Sequence, residues 1–188
     1  MIDKTYLEAL NHFGADTIDH STRTLSAHLI GTHNLLKSWN APQGTYLAGL
    51  FHSIYGTQYF KNQAVQLHER TKVQKIIGQD AELLVYLFCV TDRREFFTNI
   101  GCSSCILHDV RHNTKWSGSP KILDQLLTME FANWLEMFPY IRHQLSPTSI
   151  YRTIEMFELA IDSLPSRAIK KLFQLKKTHL PPSSMSAR

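Results

Sequence analysis

Apolar residues recur along this chain at helical spacing, and proline and glycine cut the pattern into short lengths, which leaves packed helices as the natural solution. Leu25, Leu29, Thr32 and Leu36 share one face of a helix expected from about residue 21 or 22 to Trp39. Pro42 then suits a new helix, and its apolar run ends at Ala48-Gly49-Leu50-Phe51-His52. Further helices are expected over 69–77, closed by Gly78, from Asp80 into Thr91-Asp92, over 121–138, from Ser146-Pro147 to about Ile161, and over 166–176. Thr5 and Glu8 read as a capping box for a first helix that Gly14 ends. Residues 99–119 form the least regular part, and strand signals are weak throughout. The expected fold is all-α, seven or eight helices on one core over 1–178, followed by a disordered tail over 179–188.

At 43% hydrophobic and 19% charged, the 188 residues suffice for a sizeable core. The excess of 20 Lys and Arg over 16 Asp and Glu is modest and partly sits in residues 167–177. A solvated basic helix explains it better than a nucleic-acid face, which needs a denser basic stripe with interleaved aromatics. No apolar run approaches the ~20 residues of a bilayer span, so no membrane partner is expected. The N-terminus lacks the long uncharged core of a secretory signal, and three cysteines make a poor disulfide framework. A cytoplasmic setting follows as an expectation, and homo-oligomerisation stays open.

Polar residues break the apolar pattern in three places. His28 lies on the face of Leu25, Leu29, Thr32 and Leu36; His52 ends one buried run; Asp92 ends the run over 83–90. A buried carboxylate needs a cation, a donor or a metal, and two imidazoles with one carboxylate make a sensible divalent-metal set. Each of the three is equally readable alone as a satisfied core or helix-end residue.

The order and spacing of these residues resemble the HD superfamily. There, a helical histidine is followed about two dozen residues later by a His-Asp pair ending an apolar helix, and an aspartate on a later helix completes the set. The stretch Ile76-Ile77-Gly78, Ala81 to Val85 and Cys89-Val90-Thr91-Asp92 resembles the (p)ppGpp-hydrolase branch, over roughly residues 23–93. The His52-Ser53-Ile54-Tyr55-Gly56-Thr57 segment resembles a bacterial family of uncharacterised domains. Ser53 stands where the superfamily has its metal-binding aspartate, and Tyr55-Gly56 where that branch carries an acidic pair. The resemblance implies an HD-like helical bundle and a metal-dependent hydrolase of a small phosphorylated or nucleotide-like substrate. His28, His52 and Asp92 would hold one divalent ion (Mn, Fe or Zn), with Asp92 and Tyr55 in catalytic roles. Arg23, Arg70 and Thr57 would bind the small anionic substrate.

Other readings compete. The same triad suits a non-haem Fe(II) oxygenase, and a degenerate pocket suits a non-catalytic small-molecule sensor or interaction module. Arg23 and Arg70 could instead pair with Asp92, Glu69 or Glu82, Arg93 could hold Asp92, and Tyr55-Gly56-Thr57 could be a helix-ending turn. Glu130 or Asn133 could close the pocket from its far side, although the glutamates at helical spacing read more naturally as facing water. Cys102, Cys105, His108 and His112 offer four zinc-type ligands, but only two residues separate the pairs. A plain polar loop is the preferred reading there.

Overall fold

The computed structural model describes residues 1–179; beyond its first residue, the tail expected to be disordered lies outside them. Among the described residues there are nine helices: α1 (Lys4–His12), α2 (Leu25–Ser38), α3 (Gln43–Phe51), α4 (Arg70–Ile77), α5 (Gln79–Val90), α6 (Arg93–Thr98), α7 (Pro120–Ile141), α8 (Pro147–Leu159) and α9 (Ser166–Thr178). No helix among them is long and apolar enough to cross a membrane.

The helix starts follow from local chemistry. Thr24 caps α2 by accepting from the Ala27 amide, and Ser146 caps α8 through the Ser149 amide. Proline occupies the first turn of α7 and α8, where its missing N–H costs nothing. Two expectations are corrected here. Asp3, not Thr5, caps α1, because its carboxylate is the group within reach of the Thr5 amide. The short α6 was not anticipated; it begins where Asp92 turns to accept from the Arg94 amide.

All nine helices contribute to one buried apolar core. The α2–α3 pair packs most closely. Gly49 allows this, since the Leu36 Cδ1 lies 2.2 Å from where a Cβ would stand. The long α7 crosses both helices, and its Phe131 stacks on Trp39 with ring centroids 5.3 Å apart. This brings the middle of α7 against the polar faces of α2 and α3.

The irregular stretch over 99–119 contains a hairpin instead of a loop. Strands β3 (Cys105–Asp109) and β4 (Thr114–Gly118) pair antiparallel, with Leu107 opposite Trp116. Cys105, Leu107 and Asp109 point inward, and Asn113 takes a positive φ of 54° at the turn. A smaller hairpin, β1 (Asp19–His20) with β2 (Arg23–Thr24), turns at Ser21 and leads directly into α2.

Candidate metal and substrate site

The faces of α2, α3 and α7 meet around two histidines. His28 and His52 are fully buried, and their Nε2 atoms stand 3.1 Å apart. The Asn133 Oδ1 lies 3.0 Å from the first and 3.1 Å from the second. The far side of each group fixes what it can offer. His28 donates from Nδ1 to the Glu136 carboxylate, and His52 donates from Nδ1 to the Gly49 carbonyl at 2.8 Å. Asn133 donates from Nδ2 to Glu130 at 3.4 Å. An imidazole that carries its single proton on Nδ1 presents only a lone pair at Nε2, and the amide oxygen is also an acceptor.

Three acceptors, two of them fully buried, therefore converge with no hydrogen among them. Such an arrangement needs a cation or an added proton at its centre. The donor set fits a divalent ion on two counts. Ligands about 2.1 Å from one ion and at right angles to each other stand about 3.0 Å apart, close to the separations here. A carboxylate or backbone carbonyl behind each ligating imidazole is the usual way of fixing its tautomer and orientation.

The surroundings keep the His52 ring uncharged. Burial, and then the neighbouring His28, hold the His52 imidazole well below its ordinary value. His20 stacks on His28 with centroids 4.2 Å apart and planes 5° from parallel. Burial, then His28 and Arg23, lower its imidazole to about 4. Glu136 is pushed upward by burial, but hydrogen bonds from His28 and Arg23 outweigh this and hold it below the usual range.

Beside this cluster is a cavity of about 220 Å³, with His20, Ser53, Thr57, Phe88, Arg93 and Asn133 in its wall. Thr57 accepts from the Tyr59 and Phe60 amides at 3.3 and 3.0 Å, which leaves its own proton free. Arg93 is buried, lies 3.5 Å over the Phe88 ring and pairs through Nε with Glu130 at 2.9 Å.

The structure brings together only part of the residue set expected from the sequence. His28 and His52 meet, but Asp92 does not join them. As the cap of α6 it accepts from the Arg94 amide at 2.9 Å and pairs with the Arg94 guanidinium at 2.6 Å. Those hydrogen bonds lower its carboxyl to about 2. Arg93, expected at Asp92, turns to Glu130 instead. Among the described residues no three His, Cys, Asp or Glu side chains form a metal-type group, so the triad of His28, His52 and Asp92 is not formed.

Tyr55 is also diverted. It is fully buried and donates to Glu82 at 2.9 Å, so it offers no proton to the cavity; burial, then Glu82, raises its hydroxyl strongly. Arg70 forms a two-bond fork on Glu82 at 2.7 and 2.8 Å and stacks over Tyr86, leaving no fork for a substrate. Arg23 pairs with Glu136 and lies 4.3 Å over Tyr140. Neither Glu130 nor Glu136 faces water, contrary to the reading from helical spacing; Arg93 and the Arg23–His28 pair draw them inward. The four zinc-type residues of the hairpin region stay apart. Cys102 is exposed while Cys105 is buried, His108 bonds Asn113, and His112 bonds Asp109 at 2.7 Å.

Comparison with known proteins adds two likenesses. Residues 9–93 match a family model described as a domain of unknown function (DUF6817). That stretch holds His20, His28, His52 and Asp92, but not α7. A solved structure, reported with the finding that "a metazoan ortholog of SpoT hydrolyzes ppGpp and plays a role in starvation responses", superposes with a TM-score of 0.60. The superposition spans 96% of this chain and 98% of the other at 11% sequence identity. The chain has an HD-like helical fold. No match is found among curated proteins.

Proposed function

We propose that this chain is an HD-like hydrolase that holds one divalent metal ion between His28, His52 and Asn133 and acts on a small phosphorylated substrate. The observation that carries the reading is the meeting of three acceptors, two of them fully buried, with no proton to share. The HD-like fold and the hydrolytic activity reported for the similar metazoan protein support it. Asn133 replaces Asp92 in the ligand set first expected, and Glu136 acts behind His28 as its orienting carboxylate. A bound ion would supply a water of lowered pKa near neutrality.

The chain's own groups do the rest. Gly49 and Glu136 fix the two imidazoles. Ser53 and Thr57 offer hydroxyls in the cavity wall, and Thr57 has its proton available for a substrate oxygen. Phe88 and Phe60 contribute apolar surface to the cavity wall. Tyr55 and Arg70 serve the fold through Glu82.

Elemental analysis of protein purified without a histidine tag tests the reading. The expected result is about one Mn, Fe or Zn per chain, lost in His28→Ala and His52→Ala. Metal-free protein whose stability is unchanged in His52→Ala would instead identify a non-catalytic module.

A further inference from the structure

The electrostatic balance of the cavity restricts what it can accept. Arg93 is the charged side chain in its wall, and Glu130 already pairs with it at 2.9 Å. Behind His28, Arg23 is paired with Glu136. The proposed ligands His28, His52 and Asn133 are neutral, so they leave the full double charge of a divalent ion uncompensated. A phosphomonoester, with about −1.5 to −2 charges at neutral pH, balances that ion alone. A nucleotide with two or more phosphates leaves excess negative charge beside the Glu130 and Glu136 carboxylates.

Volume points the same way. The cavity of about 220 Å³ is smaller than the ~300–1,000 Å³ of sites that enclose drug-sized ligands. Its wall joins Phe60, Phe88 and Met137 to hydroxyl groups, which suits a short, partly apolar carbon body. Resting on the metal reading above, we infer that the cavity takes a small phosphomonoester with a single phosphoryl group and discriminates against nucleotides carrying two or more. Its hydrolysis joins the water oxygen to phosphorus and breaks the phosphorus–ester oxygen bond. The ester oxygen leaves as an alcohol with a proton from that water, and no oxidant or reductant takes part. Glu130 is then the residue that sets the charge limit, through its hold on Arg93.

The test is calorimetric binding to the full-length, Mn(II)-loaded protein of two probes, phenyl phosphate and adenosine 3′,5′-bisphosphate. Phenyl phosphate is expected to bind at least tenfold more tightly. In Glu130→Gln, which frees Arg93 without changing side-chain size, that preference is expected to fall at least threefold. Equal or tighter binding of the bisphosphate by the metal-loaded wild type overturns this inference and leaves the metal reading standing. An unchanged preference in Glu130→Gln overturns the charge limit. A chain that takes up no metal overturns both the inference and the reading beneath it.

Discussion

Gly31 lies one helical turn beyond His28 on α2, and its missing side chain makes room for Glu136. A Cβ there would stand 2.4 Å from the Glu136 Oε1. The Cγ and Cδ of that side chain would also lie within 2.8 Å, so the whole outer part of Glu136 must shift in Gly31→Ala. It should push the carboxylate away from His28 and Arg23. We expect metal affinity to fall about 10–100-fold, as for loss of other orienting partners behind a ligand, and the Tm of the apoprotein to fall as the largely buried Arg23–Glu136 pair is broken. Metal titration followed by thermal denaturation of the apoprotein checks both halves. The histidines were legible in the sequence because each interrupts an apolar face, a signal carried by neighbouring residues. Asn133 was readable only as a residue that could close the pocket from its far side, and Glu136 was hidden, because α7 also carries Glu130 and other polar residues at helical spacing. Nothing local distinguishes an inward glutamate from a solvated one; the deciding partners, Arg23, His28 and Arg93, come from other elements. Asp92 misled for the opposite reason. It ends an apolar run as a ligand would, but it serves as the cap of an unanticipated helix.

At the scale of elements, the buried Glu82 on α5 ties three segments together. It accepts from Tyr55 just past α3 and from Arg70 and Gln74 on α4. Removing it strands a tyrosine hydroxyl and a partly buried guanidinium. Glu82→Ala is expected to cost about 3–5 kcal/mol, the range for breaking a buried pair. Glu82→Gln should recover part of that loss, because it keeps one acceptor for Tyr55. Urea denaturation of both variants measures the difference. The long helices were readable from periodicity, which packing reinforces. The β3–β4 hairpin was not, because its inward residues Cys105, Leu107 and Asp109 include a carboxylate that breaks the usual apolar alternation. Asp109 is nevertheless buried, where it accepts from Tyr86 and from the Arg111 and His112 amides.

For the whole molecule, the buried neutral histidines make stability depend on pH. His20 and His52 have folded values below the ordinary 6.5 of an unfolded chain. Between the folded and unfolded values the unfolded state binds more protons, so their contribution is present above about 6.5 and is lost as pH falls towards the folded value. For His20, lowered to about 4, the loss between pH 7 and 5 is about 2 kcal/mol. That corresponds to a Tm decrease of roughly 4–8 °C for a chain of this size. Differential scanning calorimetry of the metal-free protein should show the drop, and His20→Asn should reduce it. The sequence predicted helices on one core, but the burial of His20 depends on a two-residue hairpin, too short for any periodicity to announce.

The hydrogen bond from His52 to Gly49 has a consequence for local unfolding. The imidazole hangs from a carbonyl three residues earlier, in the last turn of its own helix, so its aim depends on that turn staying wound. With an ion held at His52 as proposed, fraying of α3 and that capture would oppose each other. The free energy such an ion gained by binding would be withdrawn from the open states of this corner, and the tip of α3 would become more rigid the more tightly the ion was held.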